Sequence, residues 1–334
     1  MKTILKLAKS WRKKHVIPIL SHVLLDGNTA RATDINTWAE CPCSVTGLNT
    51  PAAAFPWAGV EAAMKSGPLA WHDGKLNGYA VETLSAEEFP VAPTLPPQSG
   101  PEFGLTRADL QGVMLAMAHQ DVRYYLNGVL IDFAAGAVVG CDGQRLHLVN
   151  GGAVVPKAPK AGQFIMQDSM AKLVSASLGK RDTARVTCHK GNDTDYIRAM
   201  IGDTVICGKA IDGRYPNYDK VYSLDAALRG TIKIDDLKPF QNVVRDAKRI
   251  DSYYGVVLRQ YGAIHFGAED LAPAVPLPGT FGKEPWIIRA TAQYLMDALT
   301  FVQGKETRVL NANDQSSIVF HAGDRVAVVM PMRT

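Results

Sequence analysis

Apolar positions recur with helical spacing in six stretches, over residues Thr3 to Lys13, Pro51 to Lys65, Arg107 to Ala118, Asp168 to Leu178, Asp235 to Lys248 and Thr291 to Val302. Between them lie short runs rich in Val, Ile, Tyr and Thr, punctuated by turn pairs such as Asp26-Gly27 and Asp142-Gly143, which predict antiparallel strands. Thr106 with Asp109 three residues on predicts a capped helix start, and Gly179 after Leu178 a helix end. The pattern is that of an α+β protein with two helices per third of its length.

The order of elements repeats. A helix, a basic loop, an apolar strand, a turn and a strand followed by an acidic residue occur as KKHVIPILSHVLLDGNTARATD, as HQDVRYYLNGVLIDFAAGAVVGCD and as KRIDSYYGVVLRQYGAIHFGAE. Aligning His22, Gly128 and Gly255 brings Asp34, Asp142 and Glu269 close to register. Five prolines between Pro90 and Pro101 make a stiff polar stretch that reads as a linker. A second boundary falls after Gly213-Arg214-Tyr215-Pro216-Asn217-Tyr218, between the strand-like runs Thr204 to Ala210 and Gly230 to Ile234. Three domains are expected, over 1–98, 99–218 and 219–334, each of ordinary size.

Composition changes this picture little. A chain of 334 residues with 47% hydrophobic and 20% charged residues can bury more than one core. Its longest apolar runs, Val326 to Met330 among them, fall far short of the ~18 residues of a spanning helix, and the lysine-broken N-terminus is unlike a secretory leader. Five scattered cysteines (41, 43, 141, 188 and 207) suit a reducing compartment, so a cytoplasmic protein without disulfides is expected.

Charge matters more in its placement than in its sum of +4. Lys2, Lys6, Lys9 and Lys13 share one helix face opposite Ile4, Leu5, Ala8 and Trp11, and Arg12, Lys14 and His15 extend the charge. Basic residues recur on or beyond helices at Lys172, Lys180 and Arg181, then at Lys238, Arg245, Lys248 and Arg249. The first helix alone reads as a solvated surface as readily as a nucleic-acid or membrane-surface face, but the repeated placement of positive charge favours contact with nucleic-acid phosphates, and without a base-reading motif that binding would be independent of sequence. Enzymatic motifs are thin: no Walker loop, dinucleotide fingerprint, nucleophile elbow or zinc-protease helix occurs. Cys41-Pro42-Cys43 and Cys188-His189 lack finger spacing and read as buried thiols instead of a metal site; His119-Gln120-Asp121 and Cys141-Asp142 read as structural. No cofactor is expected.

Met117-Ala118-His119-Gln120-Asp121-Val122-Arg123-Tyr124-Tyr125-Leu126-Asn127-Gly128 resembles the signature stretch of the bacterial DNA polymerase III beta subunits, the sliding clamps. Cys141 to Leu146 resembles that family's following turn, Gly213 to Tyr218 its second inter-domain segment, and Val328 to Arg333 its C-terminal tail. Pro18-Ile19-Leu20 and Leu84 to Pro90 match more loosely, so the likeness extends over nearly the whole chain. The resemblance implies two chains of three similar domains closing head to tail around duplex DNA, as a non-catalytic processivity factor. Polymerase, loader and repair proteins would dock short peptides in a cleft. Carried over residue by residue, that cleft uses Arg123, Tyr125, Leu126, Gly143, Arg145, Leu146, Pro216, Val221, Val328, Met330, Pro331, Met332 and Arg333, the tail folding back against Leu146, Pro216 and Val221.

The DNA face would hold Lys6, Lys9, Lys13, Lys14, Gln120, Arg181, Lys248 and Arg249, and the ring contact would join Tyr79 and Val81 to Val243 and Val244. Departures are Cys141, Gln144 and Lys220 where the family commonly has Thr, His and Arg, and Arg245-Asp246 where the ring contact expects apolar residues. The first helix starts almost at once, without the usual opening strand. The shorter, more basic chain suggests a phage or mobile-element version. The competing reading is a clamp mimic that occupies a host's polymerase or loader peptides without encircling DNA.

Overall fold

The computed structural model describes residues 1–10, 17–48, 52–150, 155–250, 255–260, 264–268, 275–282 and 286–332, without the side chains of 9–10, 246–250, 255–257, 259–260 and 264–268. Its helices are α1 (Lys2–Ser10), α2 (Trp57–Ser66), α3 (Arg107–Met114), α4 (Asp168–Ser177), α5 (Lys238–Ile250) and α6 (Ala292–Val302), joined by strands that pair antiparallel except for Val45–Thr46, which runs parallel to Leu69–His72. This is the expected α+β class. The α1 pattern works as read: Ile4, Leu5, Leu7 and Ala8 are buried while Lys2 and Lys6 face out.

Three helix boundaries depart from the periodicity. The stretch from Pro51 contains the strand Ala53–Pro56, and α2 starts only at Trp57. Ala53 to Pro56 pairs with His22–Leu25, burying Ala54 and Phe55, and Pro56 suits the helix entrance because its ring fixes φ near −57°. Tertiary pairing overrides the helical propensity of the alanines. α3 stops at Met114, after which tighter bonds from Ala116 N to Val113 O and Met117 N to Met114 O wind the chain off the helix. α5 starts at Lys238, whose amide bonds Asp236 Oδ1, with Pro239 in the first turn. Gly179 is no left-handed stop: Leu178 already leaves the helix in an extended conformation (φ −77°, ψ 132°), its amide still bonded to Val174 O.

The repeat is visible strand by strand. Each aligned residue opens a strand, at His22–Leu25, Gly128–Asp132 and Gly255–Gln260, and each strand forms a hairpin with the next, at Thr29–Thr33, Ala137–Cys141 and Ile264–Ala268. Asp34 and Asp142 immediately follow the second strands; Glu269 lies outside the described residues.

Pairing welds the blocks together. One nine-stranded sheet runs Phe103–Thr106, Thr183–His189, Tyr196–Ile201, Thr204–Lys209, Thr37–Pro42, Thr29–Thr33, His22–Leu25, Ala53–Pro56, Leu84–Ser85. A second runs Gln163–Gln167, Gly128–Asp132, Ala137–Cys141, Arg145–Asn150, Arg325–Val329, Ile318–Ala322, Thr307–Leu310, Leu228–Ile232, Gly279–Phe281. Thr204–Lys209 thus joins Thr37–Pro42, and Arg145–Asn150 joins Arg325–Val329, in each case across a predicted boundary. The compact units are accordingly 1–108 with 166–212, and 109–165 with 213–334.

In the first unit the proline stretch is strapped down by Ser99 N to Cys188 O and by His189 Nδ1, which donates to Pro96 O at 2.8 Å. The cysteines are free thiols, with Cys41, Cys188 and Cys207 buried, and burial pushes the Cys207 thiol up to about 11. Among the described residues no group of three or more His, Cys, Asp and Glu is placed to hold a metal, and no helix is long and apolar enough to cross a membrane.

Candidate peptide-binding cleft

In the second unit, four segments far apart in sequence line a cleft of about 600 Å³ including its open mouth. They are Arg123 to Leu126, the turn Cys141 to Leu146, the connector Tyr215 to Val221, and Val328 to Met330. Leu146 and Val328 are cross-strand partners, and the pairing continues past the strand end as Met330 N bonds Gln144 O at 2.9 Å. The floor is apolar and closed, since Leu126, Leu146 and Val328 are each 1% exposed. The mouth is apolar and open, with Val221 42% and Met330 38% exposed. An exposed Met and Val beside a dry floor offer apolar surface to a ligand, worth about 25 cal/mol for each Å² it covers.

The connector is fixed from below. Asp132, buried at the end of its strand, accepts Ala134 N and Ala135 N through Oδ1, and Gln163 Nε2 (2.8 Å) and the Tyr218 hydroxyl (3.0 Å) through Oδ2. Burial and the Asp132 carboxylate both hold the Tyr218 hydroxyl protonated, far above the usual phenol range. Val221 is anchored at its carbonyl by the Ser317 hydroxyl, 2.9 Å away.

The rim arginines build the site instead of lying open. Arg123 grips Asp121 through Nε (3.0 Å) and Nη2 (2.7 Å), and Nη2 also donates to Asp142 O at 2.9 Å. The Arg123 bonds hold the Asp121 carboxyl down to about 2. Asp142 Oδ1 accepts Gln144 N and Arg145 N, closing the turn, while its Oδ2 takes Arg145 Nε at 3.0 Å. Arg145 Nη1 donates to Asp297 of α6, and its guanidinium lies 4.4 Å from the centre of the Tyr294 ring. Gly143 sits at φ +89°, a conformation that favours glycine, and a Cβ there would come within 2.7 Å of Arg123 Nη1, so the guanidinium would have to shift.

Of the residues carried over for the cleft, Arg123, Leu126, Gly143, Arg145, Leu146, Pro216, Val221, Val328 and Met330 converge on it. Tyr125 does not line it, and its Cβ lies near Gly213. Pro331 and Met332 are placed otherwise than expected: Met332 N bonds Arg289 O at 2.9 Å, so the tail leaves Leu146, Pro216 and Val221 after Met330. Arg333 lies outside the described residues. Sequence reasoning missed Cys141, Tyr215, Asn217 and Tyr218 as lining. The signal was present in two tyrosines within a proline-containing connector, where exposed loops seldom keep buried aromatics.

None of the other candidate residues is among those lining the cleft. Lys6 is exposed on α1, its Nζ bonded to Ala176 O, and Arg181 and Gln120 are exposed in loops, Gln120 at φ +56°. Lys9, Lys248 and Arg249 lie on helices at positions whose side chains are outside the description, as are Lys13 and Lys14 altogether. Tyr79 is 45% exposed on the two-residue edge strand Tyr79–Ala80, and Val81 packs on Gly59. Val243 is half-buried, but Val244 is 5% exposed and turns inward, so its side chain presents little surface to a partner.

The chain matches no protein-family model. Its fold is that of the DNA sliding clamps: the DNA polymerase III subunit beta of Pseudomonas aeruginosa superposes with a TM-score of 0.79 at 22% identity, covering 99% of this chain and 96% of that one. The P. aeruginosa clamp solved bound to griselimycin gives 0.77 at 23%, covering 100% and 98%. In sequence, the beta sliding clamp of P. aeruginosa is 26% identical over 277 residues, 76% of this chain and 71% of the relative, and that of Escherichia coli K12 is 28% identical over 269 residues with the same coverages. In fold and in sequence the chain is similar to the bacterial beta sliding clamps, the beta subunits of DNA polymerase III.

Proposed function

We propose that the chain works as a sliding clamp, a non-catalytic processivity factor that encircles duplex DNA as a homodimer and tethers a polymerase and other partners through the cleft. The observation that carries this reading is the cleft itself, an apolar floor of Leu126, Leu146 and Val328 opening between Met330 and Val221 in a clamp fold. The three-domain division at 1–98, 99–218 and 219–334 belongs to the same reading, supported by the three matching hairpins. So does the DNA face, because a ring retains DNA topologically and weak phosphate contacts from Lys6, Arg181 and their neighbours suffice for sliding. Tyr79, Val81 and Val243 are the proposed ring contact.

Titration of a fluorescent Gln- and Leu/Phe-containing peptide tests the cleft. Met330→Ala should weaken binding about tenfold, the cost of a partly buried methionine contact. Sedimentation of the same protein tests the ring: a dimer that retains circular duplex DNA supports it, and a persistent monomer that still binds peptide overturns it.

A further inference from the structure

We propose that Asp297 is a positioning residue that neutralises and orients Arg145, and thereby lowers the cleft's preference for acidic peptide side chains. The inference deepens the peptide-cleft reading and rests on it. Asp297, on α6, is not among the residues lining the cleft and reaches it through Arg145. Its Oδ2 takes Arg145 Nη1, and its Oδ1 accepts Gln293 Nε2 at 2.8 Å, so both oxygens are held in place.

Of the two arginines that line the cleft among the described residues, Arg145 has the less access to water. Its side chain and that of Asp297 are each 12% exposed, whereas Arg123 is 46% and Asp121 23% exposed. Its Nε serves Asp142 and its plane rests on Tyr294, so three neighbours fix the fork in one orientation. Around this rim stand two guanidiniums and three carboxylates, of Asp121, Asp142 and Asp297.

An incoming peptide carboxylate therefore meets arginines already committed. Displacing Asp121 from the exposed pair is cheap, because solvent-exposed pairs contribute little. Displacing Asp297 would strand a carboxylate in a part-buried site, which is costly. The charge the peptide feels is thus set in part from outside the lining by Asp297, and removing that carboxylate makes the rim one unit more positive, with Arg145 left to Asp142 alone.

An aspartate scan of an amide-capped Gln- and Leu/Phe-containing peptide, titrated by anisotropy against the full-length wild type and Asp297→Asn, reads this directly. At one scanned position or more, the affinity ratio of acidic to neutral peptide should rise about tenfold in Asp297→Asn, with steeper salt dependence, and Asp297→Glu should restore the wild-type ratio. A merely structural role would weaken all peptides alike. Ratios unchanged within about twofold at every position overturn the inference and leave the cleft reading standing. Failure of the wild type to bind the neutral parent peptide overturns both. Should Asp297→Asn fail to fold, Arg145→Gln/Asp297→Asn removes both charges together: a wild-type ratio supports the inference, and a selective loss of acidic peptides shows that Arg145 was available all along and overturns it.

Discussion

The first and second hairpins share the same two aspartate turns and use them differently. In the first, Asp26 closes the turn through Asn28 N and Thr29 N, and its Oδ2 takes the Thr29 hydroxyl and lies 3.4 Å from Arg31, on the strand it starts. In the second, Asp132 closes its turn the same way, but its Oδ2 reaches across to Gln163 and to Tyr218 of the cleft wall. The next turns match as well: Asp34 Oδ1 accepts Asn36 N and Thr37 N, and Asp142 Oδ1 accepts Gln144 N and Arg145 N. Where the first turn places buried Thr37, the second places Arg145, the residue held by Asp297. One carboxylate oxygen is enough to hold an Asx turn, so the other is available for recruitment. In the second block both second oxygens serve the cleft.

The largest test of this contrast compares the two hairpin aspartates. Asp132→Ala leaves the buried Tyr218 hydroxyl without its acceptor, releases the Gln163 amide and uncaps the turn, for a loss of about 3 kcal/mol. Asp26→Ala, with 27% of the side chain exposed, should lose about 1 kcal/mol. Urea unfolding of the two variants measures both; equal losses would show that Asp132 does no more than close its turn.

How far these features could be read in the letters follows from their range. The hairpins and their Asp-Gly turns depend on neighbours within about ten residues, and their strands start at the aligned His22, Gly128 and Gly255. The joining of Thr204–Lys209 to Thr37–Pro42, and the Arg145–Asp297 pair 152 residues apart, depend on partners that no local pattern names. That also explains the misplaced start of α2, where Ala53 to Pro56 looks helical alone and becomes a strand because His22–Leu25 is beside it. Most of the cleft lining came from motif resemblance, whereas Tyr215 and Tyr218 could be placed only once Asp132 had a position.

A second test lies two residues beyond Arg145. The strand after the second turn carries His147, fully buried, where the first block carries Ala39. His147 Nδ1 donates to Gly112 O at 2.8 Å and its ring stacks on Phe301 with centroids 4.7 Å apart. Burial, with a smaller push from Arg145 against the Gly112 bond, lowers its pKa to about 3. The unfolded imidazole therefore binds the proton first as pH falls, and stability is complete above about pH 6.5 and is lost progressively toward pH 3. The slope approaches 1.4 kcal/mol per pH unit, about 2 kcal/mol between pH 6.5 and 5. His147→Phe should flatten the dependence in this window; an unchanged slope in that variant would place the titration elsewhere.

The smallest effect, and the one that changes sign between the blocks, concerns the residue after each turn aspartate. Both positions have left-handed backbone, φ +73° at Ile35 and φ +89° at Gly143. A β-branched side chain is poorly suited to that region, at a cost on the order of 1–2 kcal/mol, whereas glycine adopts it freely. Ile35 is 39% exposed, so little buried packing offsets the strain. Ile35→Gly should raise stability by about 1 kcal/mol, the relief being reduced by the greater freedom of glycine in the unfolded chain. Gly143→Ala should lower it by about 1 kcal/mol. Its Cβ would also press on Arg123 Nη1, and because that contact is the end of a long exposed side chain, the guanidinium can move aside. Peptide affinity should then fall along with stability in Gly143→Ala and stay unchanged in Ile35→Gly. Thermal melts and peptide titrations on the two variants separate the effects: a stability loss in both would mean that the turns are not equivalent, and an unchanged affinity in Gly143→Ala would mean that the Arg123 rim does not shape the cleft.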